Sequence, residues 1–272
     1  MAIRVVTDSG SDIPTKLAED LGIIIVPLEL SFGGKSYLDG IELTADQFYE
    51  KLIHEEVMPT TSQPSVGSFV KVFETIKESS DQILSIHLSS KLSGTLNSAN
   101  QAAIQQNLGK SIELIDSGQA SIGLGFSVIA AAEAVRDGAS LAEAAAVARS
   151  VLNRTQVFIL FDTLEYLEKG GRIGRASALL GSVFRIKPIL TLEDGEIVTK
   201  LKTRTFRKGI RSLQQLTEEC GNLEKAAILY TTDSTEANAL SERLGNSFSD
   251  DSKPWVLRIS PAVGAHGGPG LV

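Results

Sequence analysis

Ile83-Leu84-Ser85-Ile86-His87-Leu88 runs into Ser89-Ser90-Lys91-Leu92-Ser93-Gly94-Thr95, then a helix-compatible stretch to about Asn107, then Ile112-Glu113-Leu114-Ile115. A short apolar run bounded by turn residues reads as a buried strand. Two such runs separated by one helix length form a βαβ unit with parallel strands. The same order extends outward. Residues 3–7 form an apolar run that enters the turn Asp8-Ser9-Gly10-Ser11-Asp12. Pro14 suits a first helical position, and residues 16–21 complete a short helix. Residues 23–32 form a second apolar segment before the Gly33-Gly34 turn. Thr44-Ala45-Asp46-Gln47 is a capping-box pattern for a helix to about Glu56. A loop of small hydroxyl residues, Pro59-Thr60-Thr61-Ser62-Gln63-Pro64-Ser65, follows, and Ser65 caps a helix to about Lys77. On the far side, helices are expected over residues 120–136 and 142–152, the latter with a Ser140-x-x-Glu143 box. This alternation predicts an N-terminal parallel-sheet α/β/α domain, residues 1–156, with helices on both faces.

Residues 157–272 read differently. Residues 157–161 form a strand, and Asp162-x-x-Glu165 opens a short helix. Lys169-Gly170-Gly171-Arg172-Ile173-Gly174-Arg175 reads as a glycine-rich loop. Residues 189–193 and 196–201 flank Asp194-Gly195, a two-residue hairpin turn. A helix from Phe206 to Gly221, strands at 227–230 and 256–259, and a helix at 237–244 complete the pattern. The hairpin breaks the strand–helix alternation and predicts a second, mixed α/β domain. No flexible linker separates the halves, so a ligand cleft between the two domains is expected.

Charge and composition narrow the function. The 272 residues are 42% hydrophobic and 22% charged, with a net charge of −7. Such a chain repels phosphate backbones and anionic bilayers, which argues against nucleic acid as a partner. No stretch approaches the ~20 apolar residues of an integral membrane segment, and the start lacks a signal-peptide pattern, so a cytoplasmic location is expected. The single cysteine, Cys220, excludes an internal disulfide and reads as a packing residue. His54 reads as solvated and His87 as a hydrogen-bonded core histidine. No histidine has metal-site spacing, and no phosphate-binding, dinucleotide or nucleophile-elbow motif occurs, so no metal or cofactor is expected.

Three segments carry the candidate chemistry. In Leu92-Ser93-Gly94-Thr95, a helix start offers free N–H groups and partial positive charge. Gly94 permits close backbone approach, and Ser93 and Thr95 add hydroxyl donors, which suits a carboxylate or phosphate. Simple capping by Ser93 is the structural alternative. Thr60-Thr61-Ser62-Gln63-Pro64-Ser65 is the second segment. The third, Gly264-Ala265-His266-Gly267-Gly268-Pro269-Gly270, has a glycine content that points to a tight backbone approach. Asp8-Ser9-Gly10-Ser11-Asp12 reads as a turn whose side chains bond local amides, with a ligand-facing Ser9 or Ser11 as the alternative.

These segments, with Val6-Thr7-Asp8-Ser9, Asp116-Ser117, Leu164-Glu165-Tyr166-Leu167, Gly170-Gly171-Arg172-Ile173 and Lys187-Pro188-Ile189-Leu190, resemble in order and spacing the DegV family of lipid-binding proteins. That family includes the FakB-like lipid-binding subunits of bacterial fatty acid kinase, and the resemblance covers nearly the whole chain. It implies two α/β domains with a long-chain fatty acid between them. It implies that Thr61, Ser93 and His266 hold the carboxylate, and the neighbouring Ser62, Gly94 and Thr95 join them as candidate contacts. It also implies that the protein is not itself an enzyme. A separate fatty acid kinase catalytic subunit would use ATP to form the acyl phosphate, with Arg172 and Arg175 as candidate phosphate or partner contacts. Where the family usually has Gly-Thr-His-Thr-Gly-Pro-Gly, this chain has Ala265 and Gly267 in place of the threonines. A carboxylate beside His266 is expected to raise its pKa, and binding is expected to weaken above that pKa. The competing expectation is a hydrolase or phosphotransferase built on Ser93 with His266, or on Asp8.

Overall fold

The computed structural model describes residues 3–55, 57–79, 82–180, 186–245 and 253–272. The chain forms two compact units. The first comprises Met1–Leu43, Thr60–Thr155 and Asp194–Glu196; the second comprises Thr44–Pro59, Gln156–Glu193 and Ile197–Val272. The division is therefore not a single cut in the chain. In chain order the elements up to the boundary after Thr155 are β1 (Ile3–Asp8), α1 (Thr15–Asp20), β2 (Ile24–Val26), β3 (Glu29–Phe32), β4 (Lys35–Leu38), α2 (Ala45–His54), β5 (Thr60–Ser62), α3 (Val66–Ser79), β6 (Gln82–His87), α4 (Thr95–Gln105), β7 (Ile112–Asp116), α5 (Ser121–Arg136) and α6 (Leu141–Arg154). The remainder holds β8 (Ile159–Leu160), α7 (Glu165–Lys169), β9 (Lys187–Glu193), β10 (Glu196–Thr203), α8 (Phe206–Glu219), β11 (Ala227–Tyr230), α9 (Thr235–Gly245), β12 (Trp255–Arg258) and α10 (Pro261–Gly267).

The first unit is organised by a sheet of order β2-β1-β6-β7, every pairing parallel. Its strands are short apolar runs because both faces are covered. Val6, Ile83 and Val26 pack with Phe69, Phe73 and Ile76 of α3 and Ala99, Ala102 and Ala103 of α4. Val5, Leu84 and Ile86 alternate to the other face, where α5 and α6 pack. The Ser140–Glu143 box caps α6 as its sequence predicts. The chain leaves β1 toward β2 on one side, while β6 lies on the other. This makes the carboxyl ends of β1 and β6 the switch point where open α/β sheets bind ligands.

Several details depart from the sequence reading. Residues 23–32 split into two strands. Pairing with β1 ends at Asp8 and Val26; Pro27 has no N–H to give, and the Leu28 N–H goes to Ser9 Oγ at 3.0 Å. β3 then pairs antiparallel with β4 and β5, so residues 60–62 of the hydroxyl segment are an edge strand rather than loop. Pro14 is the residue before α1, not its first member.

β9 and β10 join through Asp194-Gly195, whose positive φ angles of 51° and 78° suit a two-residue turn. The sheet order is β10-β9-β8, with β11-β12 as a separate parallel pair. Leu160, Ile189, Ile210, Leu213, Ile228, Leu240 and Leu244 form the core. The residues after α10 tie the two sheets together. Val272 exchanges backbone hydrogen bonds with Leu160, and Leu271 does so with the Thr231 N–H and hydroxyl. Asp162 does not cap α7. Its carboxylate takes the Lys187 ammonium at 2.5 Å, while Thr163 Oγ1 accepts from Glu165 N at 3.2 Å. Cys220 is exposed rather than packed, its thiol donating to Leu216 O.

Candidate functional site

The segment from Ser89 to Thr95 leaves the end of β6 as a compact turn. Ser89 O accepts from Leu92 N at 2.9 Å and from Ser93 N at 3.0 Å. Gly94 then stands as the capping residue of α4. Ser93 does not cap in the usual sense: its hydroxyl meets Thr95 Oγ1 at 2.9 Å and accepts from Thr95 N at 3.3 Å. The two hydroxyls thus lie side by side at the helix start, where the partial positive charge of α4 is largest. Thr95 is fully buried and Ser93 partly so.

Thr61 and Ser62 sit on β5, in register with Leu30 and Glu29 of β3. The link from this strand to the start of α4 is Gln63, which the sequence reading did not single out. A β-carbon on Gly94 would lie 2.6 to 2.9 Å from the Gln63 carboxamide atoms. The absence of a side chain at Gly94 therefore lets the Gln63 amide cover the helix start. Nothing in the sequence marks a glutamine thirty-one positions away as its neighbour; only the pairing of β5 with β3 sets it there. Within the first unit the fold thus brings together Ser93, Gly94, Thr95 and Gln63.

The Asp8 turn is structural at its core. The carboxylate is fully buried. It accepts from Gly10 N at 3.1 Å, Leu88 N at 3.1 Å and His87 Nδ1 at 2.9 Å. This is the local-amide turn the sequence suggests, and it engages the oxygens a nucleophile would need free. His87 is the hydrogen-bonded core histidine expected, and Ser9 is committed to Leu28 N.

In the second unit the segment 264–270 is largely helix. His266 lies in the last turn of α10, not on a glycine loop. The glycines do serve close approach, but to the protein's own side chains, two of them aromatic. A β-carbon at Gly264 would overlap the Tyr49 hydroxyl, and one at Gly268, φ 74°, would overlap the Tyr166 ring. The imidazole packs onto Gly170, its Nδ1 where a side chain of that glycine would begin. Burial pushes the His266 pKa down to about 4, with the Arg172 guanidinium adding to the effect. Without ligand the shift is thus opposite to that expected beside a carboxylate, because desolvation and a neighbouring cation both favour neutral imidazole. Arg172 donates to Gly170 O at 2.7 Å, on the backbone that seats His266. Arg175 is exposed and engages the end of β9, reaching Glu193 O at 3.4 Å.

A second feature of this unit escaped the sequence reading. Lys202, Arg204, Lys208 and Arg211 line an open groove of ≈ 490 Å³ with Thr203 and Ser212. None of the four makes an ion pair among the described residues, whereas Lys169, Lys187 and Arg258 are each matched by a carboxylate. Thr203 fixes the corner between β10 and α8 by donating to Lys187 O at 2.7 Å. The four belong to one basic run, Lys200 to Arg211, which holds six cations in twelve consecutive residues, and the corner folds part of that run into a groove.

Among the described residues, no cluster of metal-ligating side chains occurs and no helix is long and apolar enough to cross a membrane. A DegV domain-containing protein of Halalkalibacterium halodurans is 38% identical, covering 99% of this chain and 96% of its own. Among solved structures, a DegV family protein from Thermus thermophilus, described by its fatty acid binding, superposes with a TM-score of 0.91 at 34% identity, over 100% of this chain and 97% of its own. DegV from Bacillus subtilis, described as a fatty acid binding protein, gives a TM-score of 0.89 at 32% identity over the same shares. The family model for uncharacterised proteins of the DegV family matches residues 2–272. With sequence and fold agreeing along its whole length, the chain belongs to the DegV family.

Proposed function

We propose that this protein binds a long-chain fatty acid by its carboxylate and presents it to a separate ATP-dependent kinase for acyl phosphate formation. The observation that carries the first part is the full-length likeness to two structures described as fatty acid binding. The start of α4 supports it chemically. Paired hydroxyls at a helix N-terminus suit a carboxylate, and neutral donors hold it less firmly than an arginine fork. Thr61, Ser62, Ser93, Gly94 and Thr95 are the proposed head-group residues, with His266 of the second unit as a further contact. A tail of roughly 15 methylenes at ~0.8 kcal/mol each offers about 12 kcal/mol before association costs. Each bond to the charged head adds only about 1.5–3 kcal/mol. The tail sets affinity and the head group sets orientation, a division suited to a carrier.

The kinase half of the proposal draws support from unmatched charge. The groove of Lys202, Arg204, Lys208 and Arg211 would steer an acidic partner surface, and Arg172 and Arg175 remain proposed phosphate or partner contacts. A hydrolase built on Ser93 finds less support. The hydrogen-bond partners found for that hydroxyl are Thr95 Oγ1 and Thr95 N, neither of them a base. Native mass spectrometry of the purified protein, followed by lipid extraction, tests the carrier reading. A stoichiometric fatty acid is expected; an empty protein that also refuses added palmitate would overturn it. Hydrolysis of acyl esters by the protein alone would favour the enzyme instead.

A further inference from the structure

We infer that Asp8 is a positioning residue for the head-group turn, acting through the Leu88 amide without touching ligand; the inference rests on the fatty acid reading above. Asp8 ends β1 and His87 ends β6, the adjacent strands at the switch point of the parallel sheet. A buried carboxylate is costly unless its oxygens are hydrogen-bonded. Here Oδ1 takes Gly10 N, and Oδ2 takes both Leu88 N and His87 Nδ1. A single side chain therefore fastens the first residues of both turns that leave the sheet at this edge.

The carboxylate accepts from all three nitrogens, so His87 carries a proton on Nδ1. Ser85 Oγ lies 2.7 Å from Nε2 and completes the set, as a hydroxyl can either donate or accept there. The edge-on Phe69 ring, 5.1 Å from the imidazole, braces it from α3. An asparagine at position 8 cannot reproduce this set. Whichever way its amide turns, its NH₂ faces either Gly10 N–H or the pair from Leu88 and His87. Asp8 thus fixes the peptide that carries the Leu88 N–H, at the start of the turn. The Ser89 carbonyl, two peptides on, accepts from Leu92 N and Ser93 N and so aims Ser93 and Thr95. The peptide between is held through Ser89 N by Gln119 O at 2.8 Å, and the one bearing the carbonyl through Ser90 N by Asp116 Oδ1 at 3.1 Å, so Asp8 sets the first of three consecutive anchored peptides.

The test compares Asp8→Asn, Ser85→Ala and Leu240→Ala with the wild type. Palmitate affinity is measured by calorimetry, and amide and imidazole nitrogens are followed by NMR. Leu240 lies in the core of the second unit, outside the Asp8 network, so its variant reports loss of stability alone. Asp8→Asn is expected to weaken palmitate binding by about tenfold or more, with shifted Ser93 and Thr95 amides. Leu240→Ala and Ser85→Ala are expected to stay within about twofold. The wild-type His87 is expected to be protonated on Nδ1. A folded Asp8→Asn with wild-type affinity and amide shifts overturns the inference, as does an equal loss in Leu240→Ala. If Asp8→Asn does not fold, His87→Asn decides: shifted Ser93 and Thr95 amides with weaker binding support the inference, and unchanged ones overturn it. A wild type that takes up no palmitate overturns the fatty acid reading alone, and the amide shifts still decide whether Asp8 sets the turn.

Discussion

Replacing His266 with glutamine should change how stability depends on pH, by an amount that follows from its burial. The folded imidazole has a pKa of about 4 against an ordinary 6.5. Below pH 6.5 the unfolded chain therefore binds a proton that the folded chain resists. The folded state keeps its full advantage from this group above pH 6.5. It loses that advantage progressively as pH falls through 6.5 toward about 4, and no further below. A separation of this size corresponds to about 3 kcal/mol. Glutamine does not titrate, so the stability difference between wild type and His266→Gln should shrink by about 3 kcal/mol between pH 7 and pH 4. Urea unfolding at half-unit pH steps measures this, with the His266 Cε1 proton followed by NMR as a direct check. Parallel curves for the two proteins, or an imidazole midpoint near 6.5, would refute the burial argument. The same titration on palmitate-loaded protein extends the test. A carboxylate beside His266 should move the midpoint upward and make binding take up a proton, so affinity should fall as pH rises above the new midpoint.

Three further outcomes are expected. Gly264→Ala places a methyl group into the Tyr49 hydroxyl and should cost about 1–3 kcal/mol by denaturant unfolding; a change below about 0.5 kcal/mol would mean that α2 shifts freely. Ser93→Ala with Thr95→Val should weaken palmitate binding by roughly tenfold to a hundredfold while leaving the unliganded fold intact by circular dichroism. Lys208→Glu with Arg211→Glu should leave palmitate affinity unchanged but slow phosphorylation by a fatty acid kinase by at least about tenfold at low salt; an unchanged rate would remove the groove from the docking surface.

Much of the architecture is legible in the chain because its signals are local. The apolar runs at 3–7, 83–88 and 112–115 have the length and continuity of strands covered on both faces. Thr44–Gln47 and Ser140–Glu143 announce their helices through capping groups three residues apart. What the sequence hides depends on distant partners. Residues 60–62 look like loop because three small polar residues carry no periodicity; pairing with β3 makes them strand. The glycines around His266 suggest a ligand-cradling loop, yet Gly264 and Gly268 make room for Tyr49 and Tyr166, far off in sequence. The candidate hydroxyls are readable as a helix start and the basic run at 200–211 is visible in the chain, whereas the seat of Gln63 over Gly94 requires the fold.

The excursion of α2 has a consequence for how the protein could be divided. Phe48, Tyr49 and Leu52 are buried, and Tyr49 is seated against α10 some two hundred residues later. Residues 194–196 likewise belong to the first unit, though their flanking strands run on into the second. No single scission of the backbone yields either unit entire. A fragment ending near residue 156 would carry the apolar face of α2 without its cover and would lack the hairpin tip. The two units are thus interlaced along the polypeptide, and neither is expected to serve as an exchangeable module in a fusion or a rearranged gene.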